Sequence, residues 1–140
     1  MWIGDGELRE SFTAMIRAYC LESVLSLTGW LSREEALKRL ASADLFVHYT
    51  RWEGLPNAVL DAMALGLPVV ASHVPGNRDA VRPEVTGCLA RNETELLEKT
   101  LALARDPERG SRMGRAGKDL VGREFSLAGA LAKREALYSA

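Results

Sequence analysis

Short apolar segments alternate with helix-like segments along this chain, and that alternation restricts the fold more than any other feature. Residues 69–71 are wholly apolar and residues 45–49 nearly so, the pattern of strands covered on both faces. Trp2-Ile3 ends an earlier strand, residues 25–28 read as the next, and residues 87–90 as a last short one. Between them, residues 7–19 carry apolar positions at helical spacing (Leu8, Phe12, Met15, Ile16 and Tyr19). Ser32 followed by Glu35 forms a capping box for a helix ending near Ala41. From Glu93 the pattern is helical: residues 93–105, 107–123 and 127–138, broken at Asp106-Pro107 and Phe125-Ser126, with a solvated charged face. Strands alternating with helices predict an α/β fold, a Rossmann-like parallel sheet with flanking helices, as one domain over residues 1–140.

The chemistry concentrates in residues 51–64. Glu53 sits in a glycine turn, and Asp61 follows eight positions later on a helix. Pro56 suits the first helical turn, where a missing N–H costs nothing, and Gly66 with Pro68 ends the helix. That helix is apolar nearly all round, through Ala58, Val59, Leu60, Ala62, Met63, Ala64 and Leu65. Asn57 and Asp61 are the exceptions and share a face. In a buried helix such a stripe must meet a partner, because an unpaired buried carboxylate is costly. The stripe rises from a helix N-terminus, where free amides and the dipole favour an anion such as phosphate. The pattern suits a phosphorylated, hydroxyl-rich ligand; the alternative is a turn carboxylate and a helix carboxylate paired with Arg51 or Arg78.

Composition narrows the classes. At 140 residues, 47% hydrophobic and 26% charged, the chain suits one globular domain with a real core. A net charge of -1 with interspersed signs offers no field for nucleic acid. Cys20 and Cys88 lack metal-ligand spacing and read as free thiols, and His48 and His73 lack companions for a zinc site. Apolar runs are too short to span a membrane, and the first residues show no export signal, so the expected location is cytoplasmic. Gly4-Asp5-Gly6 begins a dinucleotide-like pattern, but Arg9 stands at its third glycine position, which points to turn chemistry. His48, in a strand, reads as a satisfied structural histidine, and Trp52 as a packing residue fixing the Glu53 turn. Pro75-Gly76-Asn77-Arg78 follows the strand at 69–71 and so lies at the carboxyl end of the sheet, where such folds bind ligands. Gly76 there permits close backbone approach to a sugar or phosphate; Arg78 either contacts phosphate or caps a local turn.

The string Trp52-Glu53-Gly54-Leu55-Pro56-Asn57 precedes Ala62-Met63-Ala64, Gly66-Leu67-Pro68-Val69-Val70-Ala71, Gly76-Asn77-Arg78 and Thr86-Gly87. Taken together, the chain resembles the family 4 (group 1) glycosyltransferases of GT-B fold. The likeness runs from Ile3-Gly4-Asp5-Gly6 to about Tyr138 and matches the C-terminal, donor-binding half, truncated at its N-terminal side. It implies transfer of a sugar from a nucleotide diphosphate-sugar to an acceptor, with retention and with neither cofactor nor obligatory metal. Glu53 would be the catalytic carboxylate at the donor sugar or its phosphates. Gly54, Leu55 and Asn57 would hold the pyrophosphate, and Asp61 the ribose hydroxyls. Gly29 and Trp30 would cradle the nucleobase, unless Trp30 packs against the following helix. The family usually has Glu where this chain has Asp61, shortening the reach by about 1.5 Å.

The resemblance also implies what is missing: a first strand–helix unit with the family's basic pyrophosphate clamp, and the acceptor domain, supplied by an N-terminal portion or a companion chain. An isolated 140-residue chain of this kind is expected to be inactive, and either to close the gap by pairing residues 1–3 with residues 45–49 or to self-associate through the unpaired sheet edge. The full enzyme is expected to associate peripherally with the inner face of a membrane. Two alternatives stay open, a related sugar-nucleotide enzyme such as an epimerase, and a non-catalytic fragment that only binds nucleotide-sugar.

Overall fold

The computed structural model describes residues 1–125; the helix expected over 127–138 lies outside them. The chain divides into two compact units, Met1–Arg39 and Leu40–Ala140.

In the first unit the two expected strands reduce to two isolated bridges, Trp2 with Leu27 (parallel) and Gly4 with Gly29 (antiparallel). Trp2 donates its N–H to Ser26 O (2.7 Å) and accepts from Thr28 N (3.0 Å), pairing Trp2 with Leu27. Gly4 at φ +135° and Gly29 at φ +73° then turn both segments out of extended geometry, so no longer ladder forms. Helix α1 spans Arg9–Ala18, two residues inside its expected start, and buries Ile16. Trp2 meets Phe12 edge-on, with ring centroids 5.2 Å apart. Asp5 explains the late start: it accepts from Gly6 N and pairs with Arg9 at 2.7 Å, holding residues 5–8 as a turn. The Gly6 amide bond is the main reason the Asp5 carboxyl titrates below its ordinary range. Helix α2, Arg33–Leu40, opens on the expected capping box: Glu35 N donates to Ser32 Oγ (3.3 Å) and Ser32 N to Glu35 Oε2 (3.0 Å). An open cavity of about 570 Å³ in this unit is lined by Trp2, Leu8, Phe12, Met15 and Leu27, together with Asp5 and Arg9.

The second unit is built on a parallel sheet of β1 (Phe46–His48), β2 (Val69–Ser72) and β3 (Cys88–Ala90), in that order. Phe46 pairs with Val69 and His48 with Ala71; Val70 pairs with Cys88 and Ser72 with Ala90. Central β2 is buried along its whole length, as its continuous apolar run predicts. Helix α3 (Asn57–Ala64) follows β1, α4 (Pro75–Ala80) follows β2, and α5 (Glu93–Ala104) and α6 (Pro107–Glu124) follow β3. Asn92 caps α5 by accepting from Glu95 N, and Asp106 caps α6 by accepting from Arg109 N. Val70, Cys88, Leu103 and Met113 form one buried cluster with Leu45 and Leu96 against it. Burial pushes the Cys88 thiol up, which suits an inert core residue; Cys20 is exposed. Among the described residues no helix is long and apolar enough to cross a membrane.

Helix α3 differs from the expectation of a wholly buried helix. Val59, Ala62 and Met63 are buried, whereas Ala58, Ala64 and Leu65 are exposed. The helix lies against the sheet and α6 on one side and leaves Ala58, Ala64 and Leu65 to solvent. Its C-terminus is closed as expected: Gly66, at φ +82°, donates to Met63 O (2.9 Å), and Leu67 N to Ala62 O (3.0 Å). Three glycines of α6 let the two helices approach. A Cβ on Gly114 would lie 2.0 Å from Gly66 O, while Gly110 faces Pro68 and Gly117 faces Met63.

This packing predicts opposite signs for two Gly→Ala changes on one helix. Gly114→Ala should cost about 1–3 kcal/mol by overpacking against backbone. Gly122→Ala meets nothing within 4 Å and should stabilise by about 0.5–1 kcal/mol through helix propensity. Urea unfolding of the two variants checks this; a neutral Gly114→Ala would contradict the α3–α6 contact.

Candidate donor-binding turn

The turn carrying Glu53 is built where β1 ends. Thr50 N donates to Ser72 Oγ (3.0 Å), tying the chain leaving β1 to the carboxyl end of β2. Thr50 Oγ1 then donates to Trp52 O (2.8 Å), which bends the segment back. Ser72 Oγ also receives Asn77 Nδ2 at 3.2 Å, and Ser72 O receives it at 2.9 Å. Asn77 is fully buried, and its Oδ1 has no hydrogen-bond partner among the described residues. One buried asparagine on α4 thus joins that helix, the end of β2 and, through Ser72, the start of the turn.

The turn is fixed a second time through its backbone. Gly76 N donates to Glu53 O at 3.1 Å. A Cβ on Gly76 would fall 2.3 Å from Gly54 O and 2.7 Å from Glu53 O, so only glycine fits. The sequence reading had Gly76 admit a sugar or phosphate; instead the space over this buried residue is filled by the protein's own Glu53-Gly54 peptide. Trp52 also departs from expectation. It is 77% exposed, with its ring edge 3.7 Å from where a Gly54 Cβ would stand, so it lies over the turn instead of packing beneath it. The burial that locks the turn comes from Pro56, Gly76 and Asn77.

Glu53 itself is three-quarters buried, and its Oε2 lies 3.4 Å from His48 Nε2. Neither Arg51 nor Arg78 forms that contact; both are exposed, Arg78 in the last turn of α4. Gly54 and Leu55 are exposed and lead into the N-terminus of α3. Asn57 begins the helix and is exposed; Asp61, one turn on, is half-buried. The unit therefore gathers Glu53, Gly54, Leu55, Asn57 and Asp61 into one turn-and-helix segment, backed by Gly76. Gly29 and Trp30 belong to the first unit. There Trp30 is 79% exposed and does not pack on α2, and Gly29 O accepts from Gly4 N and Thr28 Oγ1. Among the described residues no three His, Cys, Asp and Glu side chains come together.

Sequence reasoning missed Thr50 and Ser72, and it named Asn77 within a motif without giving it a role. Each is a common turn or strand-end residue, and nothing in its spacing shows that the three meet. Ser72→Ala would leave Thr50 N and Asn77 Nδ2 without their shared hydroxyl and should cost about 1–3 kcal/mol. Gly76→Ala should cost a similar amount, about 1–3 kcal/mol, by forcing the Glu53–Gly54 peptide away. Urea unfolding measures both, and the amide shifts of residues 50–55 should move in each variant; unchanged shifts in Gly76→Ala would refute the contact.

Comparison with known proteins gives the family and the fold. The pattern of the family described as glycosyl transferases group 1 matches residues 2–120. The UDP-Gal:alpha-D-GlcNAc-diphosphoundecaprenol alpha-1,3-galactosyltransferase of Escherichia coli is 36% identical over 88 residues, 62% of this chain and 22% of that protein. The alpha-D-kanosaminyltransferase of Streptomyces kanamyceticus is 28% identical over 129 residues, 91% of this chain and 33% of that protein. The chain thus spans about a fifth to a third of the curated relatives' length. Among solved structures, Anabaena HepE in complex with UDP superposes with a TM-score of 0.86 at 21% identity, covering 99% of this chain and 40% of that one. Sucrose-phosphate synthase from Thermosynechococcus elongatus gives 0.83 at 23% identity, covering 98% and 37%. The parallel sheet with flanking helices is thus part of the GT-B fold. This chain belongs to the glycosyl transferases group 1 family.

Proposed function

We propose that this chain is the donor-binding part of a glycosyltransferase that moves a sugar, with retention, from a nucleoside diphosphate-sugar to an acceptor. One observation carries the reading: a carboxylate held in a doubly fixed turn stands immediately before two exposed residues and a helix N-terminus. Such an arrangement offers a charged acceptor for sugar hydroxyls next to amides and a dipole suited to phosphate. In this reading Glu53 meets the donor sugar at the reacting end. The Gly54 and Leu55 amides and the Asn57 side chain hold the pyrophosphate, and Asp61 accepts from the ribose hydroxyls. Arg78 adds positive charge beside the phosphates. No cofactor enters, because the donor is already an activated sugar with a nucleoside diphosphate as leaving group. The UDP and UDP-glucose named with Anabaena HepE support this donor class. The acceptor is held by an N-terminal domain or a companion chain. A lipid-linked acceptor, as in the name of the E. coli relative, would bring the larger protein to a membrane face.

A panel of UDP-glucose, UDP-galactose and GDP-mannose, screened by thermal shift and then calorimetry, tests the reading. At least one should stabilise the chain. Glu53→Ala should weaken that donor about tenfold or more, the cost of losing charge-assisted hydrogen bonds, without lowering unfolding stability comparably. Binding of none of the panel, or equal affinity in Glu53→Ala, would contradict it.

A further inference from the structure

His48 is a partly buried imidazole that these roles leave unused. It ends β1 opposite Ala71, and β2 carries no titratable side chain. Phe46, two residues earlier and therefore on the same face of the strand, stacks on the imidazole with centroids 6.1 Å apart and planes 11° apart. That stacking sets the plane of the ring. Nε2 is sealed from solvent and makes no hydrogen bond among the described residues, yet it stands 3.4 Å from Glu53 Oε2. The two atoms are close enough for a hydrogen bond but are not aligned for one. A sealed ring nitrogen beside a carboxylate oxygen has one favourable use here, donation of Nε2–H to that oxygen.

We propose that His48 is the positioning residue of Glu53. Its Nε2–H holds one carboxylate oxygen and ties the side chain to the sheet, leaving the other oxygen to accept from ligand hydroxyls. This rests on the donor-binding reading of Glu53 and adds how that carboxylate is aimed. The strand supplies the rigidity: the Phe46 stack and the β1–β2 ladder fix the imidazole, which then restrains a side chain that begins on an exposed turn.

Two measurements on the full chain separate this inference from the donor reading. Without ligand, long-range proton–nitrogen NMR correlation of the His48 ring should show the Nε2–H tautomer, and Glu53→Ala should shift it toward a mixture; an unchanged spectrum overturns the pairing. With UDP-glucose, His48→Leu should weaken binding about five- to tenfold, as loss of a charge-assisted bond does. His48→Gln, which keeps an N–H at similar reach, should recover affinity to within about twofold. In a Glu53→Ala background His48→Leu should have no further effect. Parent-like affinity in His48→Leu, an equal loss in both backgrounds, or no recovery by Gln overturns the positioning role. If the unsubstituted chain does not bind UDP-glucose, the failure lies with that donor assignment, and the tautomer measurement alone decides the pair.

Discussion

The contact between Gly76 and the Glu53–Gly54 peptide is the constraint on which the candidate site depends. A turn at the end of a strand ordinarily has several arrangements of similar energy. Here the missing side chain of Gly76 lets two backbones meet closely enough for Gly76 N to reach Glu53 O, and any larger residue would push them apart. Asn77, the next residue, reaches Ser72 and so sets the depth at which α4 sits over the end of β2. Two neighbouring residues thus set both the height and the position of the turn. The result is a preorganised carboxylate, which is what a site needs if binding energy is not to be lost in ordering its own loop.

Behind the turn, the rest of the second unit works as a scaffold. Helix α3 carries Asn57 and Asp61, so its placement decides where those groups lie relative to Glu53. That placement is set on the far side by α6, whose glycines accept the Gly66 carbonyl and the Met63 side chain. Close helix approach of this kind leaves little freedom for α3 to slide, since interiors are packed too densely to yield gradually. The helix that carries Asn57 and Asp61 is held by apolar packing, whereas the Glu53 turn is held by hydrogen bonds.

Much of the fold was legible because local chemistry and tertiary structure agree. Ser32 with Glu35, Gly66 with Pro68, and Asp106-Pro107 each mark a helix end, and the apolar run at 69–71 marks the central strand. The expected strands around Trp2 and Leu27 fell short because Gly4 and Gly29 adopt positive φ, a choice a glycine permits but its sequence does not announce. Within the candidate site, Glu53, Gly54, Leu55, Asn57 and Asp61 were visible as one segment, since they lie close in sequence. Gly76 was singled out for the right property, close approach, but the partner is a peptide 22 residues earlier, which spacing cannot reveal. Trp52 departs from the expectation because an aromatic beside a turn looks like core, whereas here it lies exposed over the Gly54 turn. His48, set aside as a satisfied structural residue, is instead an imidazole whose ring nitrogen faces the carboxylate of greatest interest.

The central claim is that the segment from Glu53 to Asp61 receives the nucleotide-sugar on a framework already in place. Backbone amide shifts followed by NMR while UDP-glucose is added address it most directly. The account predicts that the largest changes fall on Gly54, Leu55, Asn57 and Asp61, while the Gly76 amide, already bonded to Glu53 O, moves little. Changes centred instead on the cavity of the first unit around Phe12, Met15 and Leu27, with residues 53–61 silent, would contradict it.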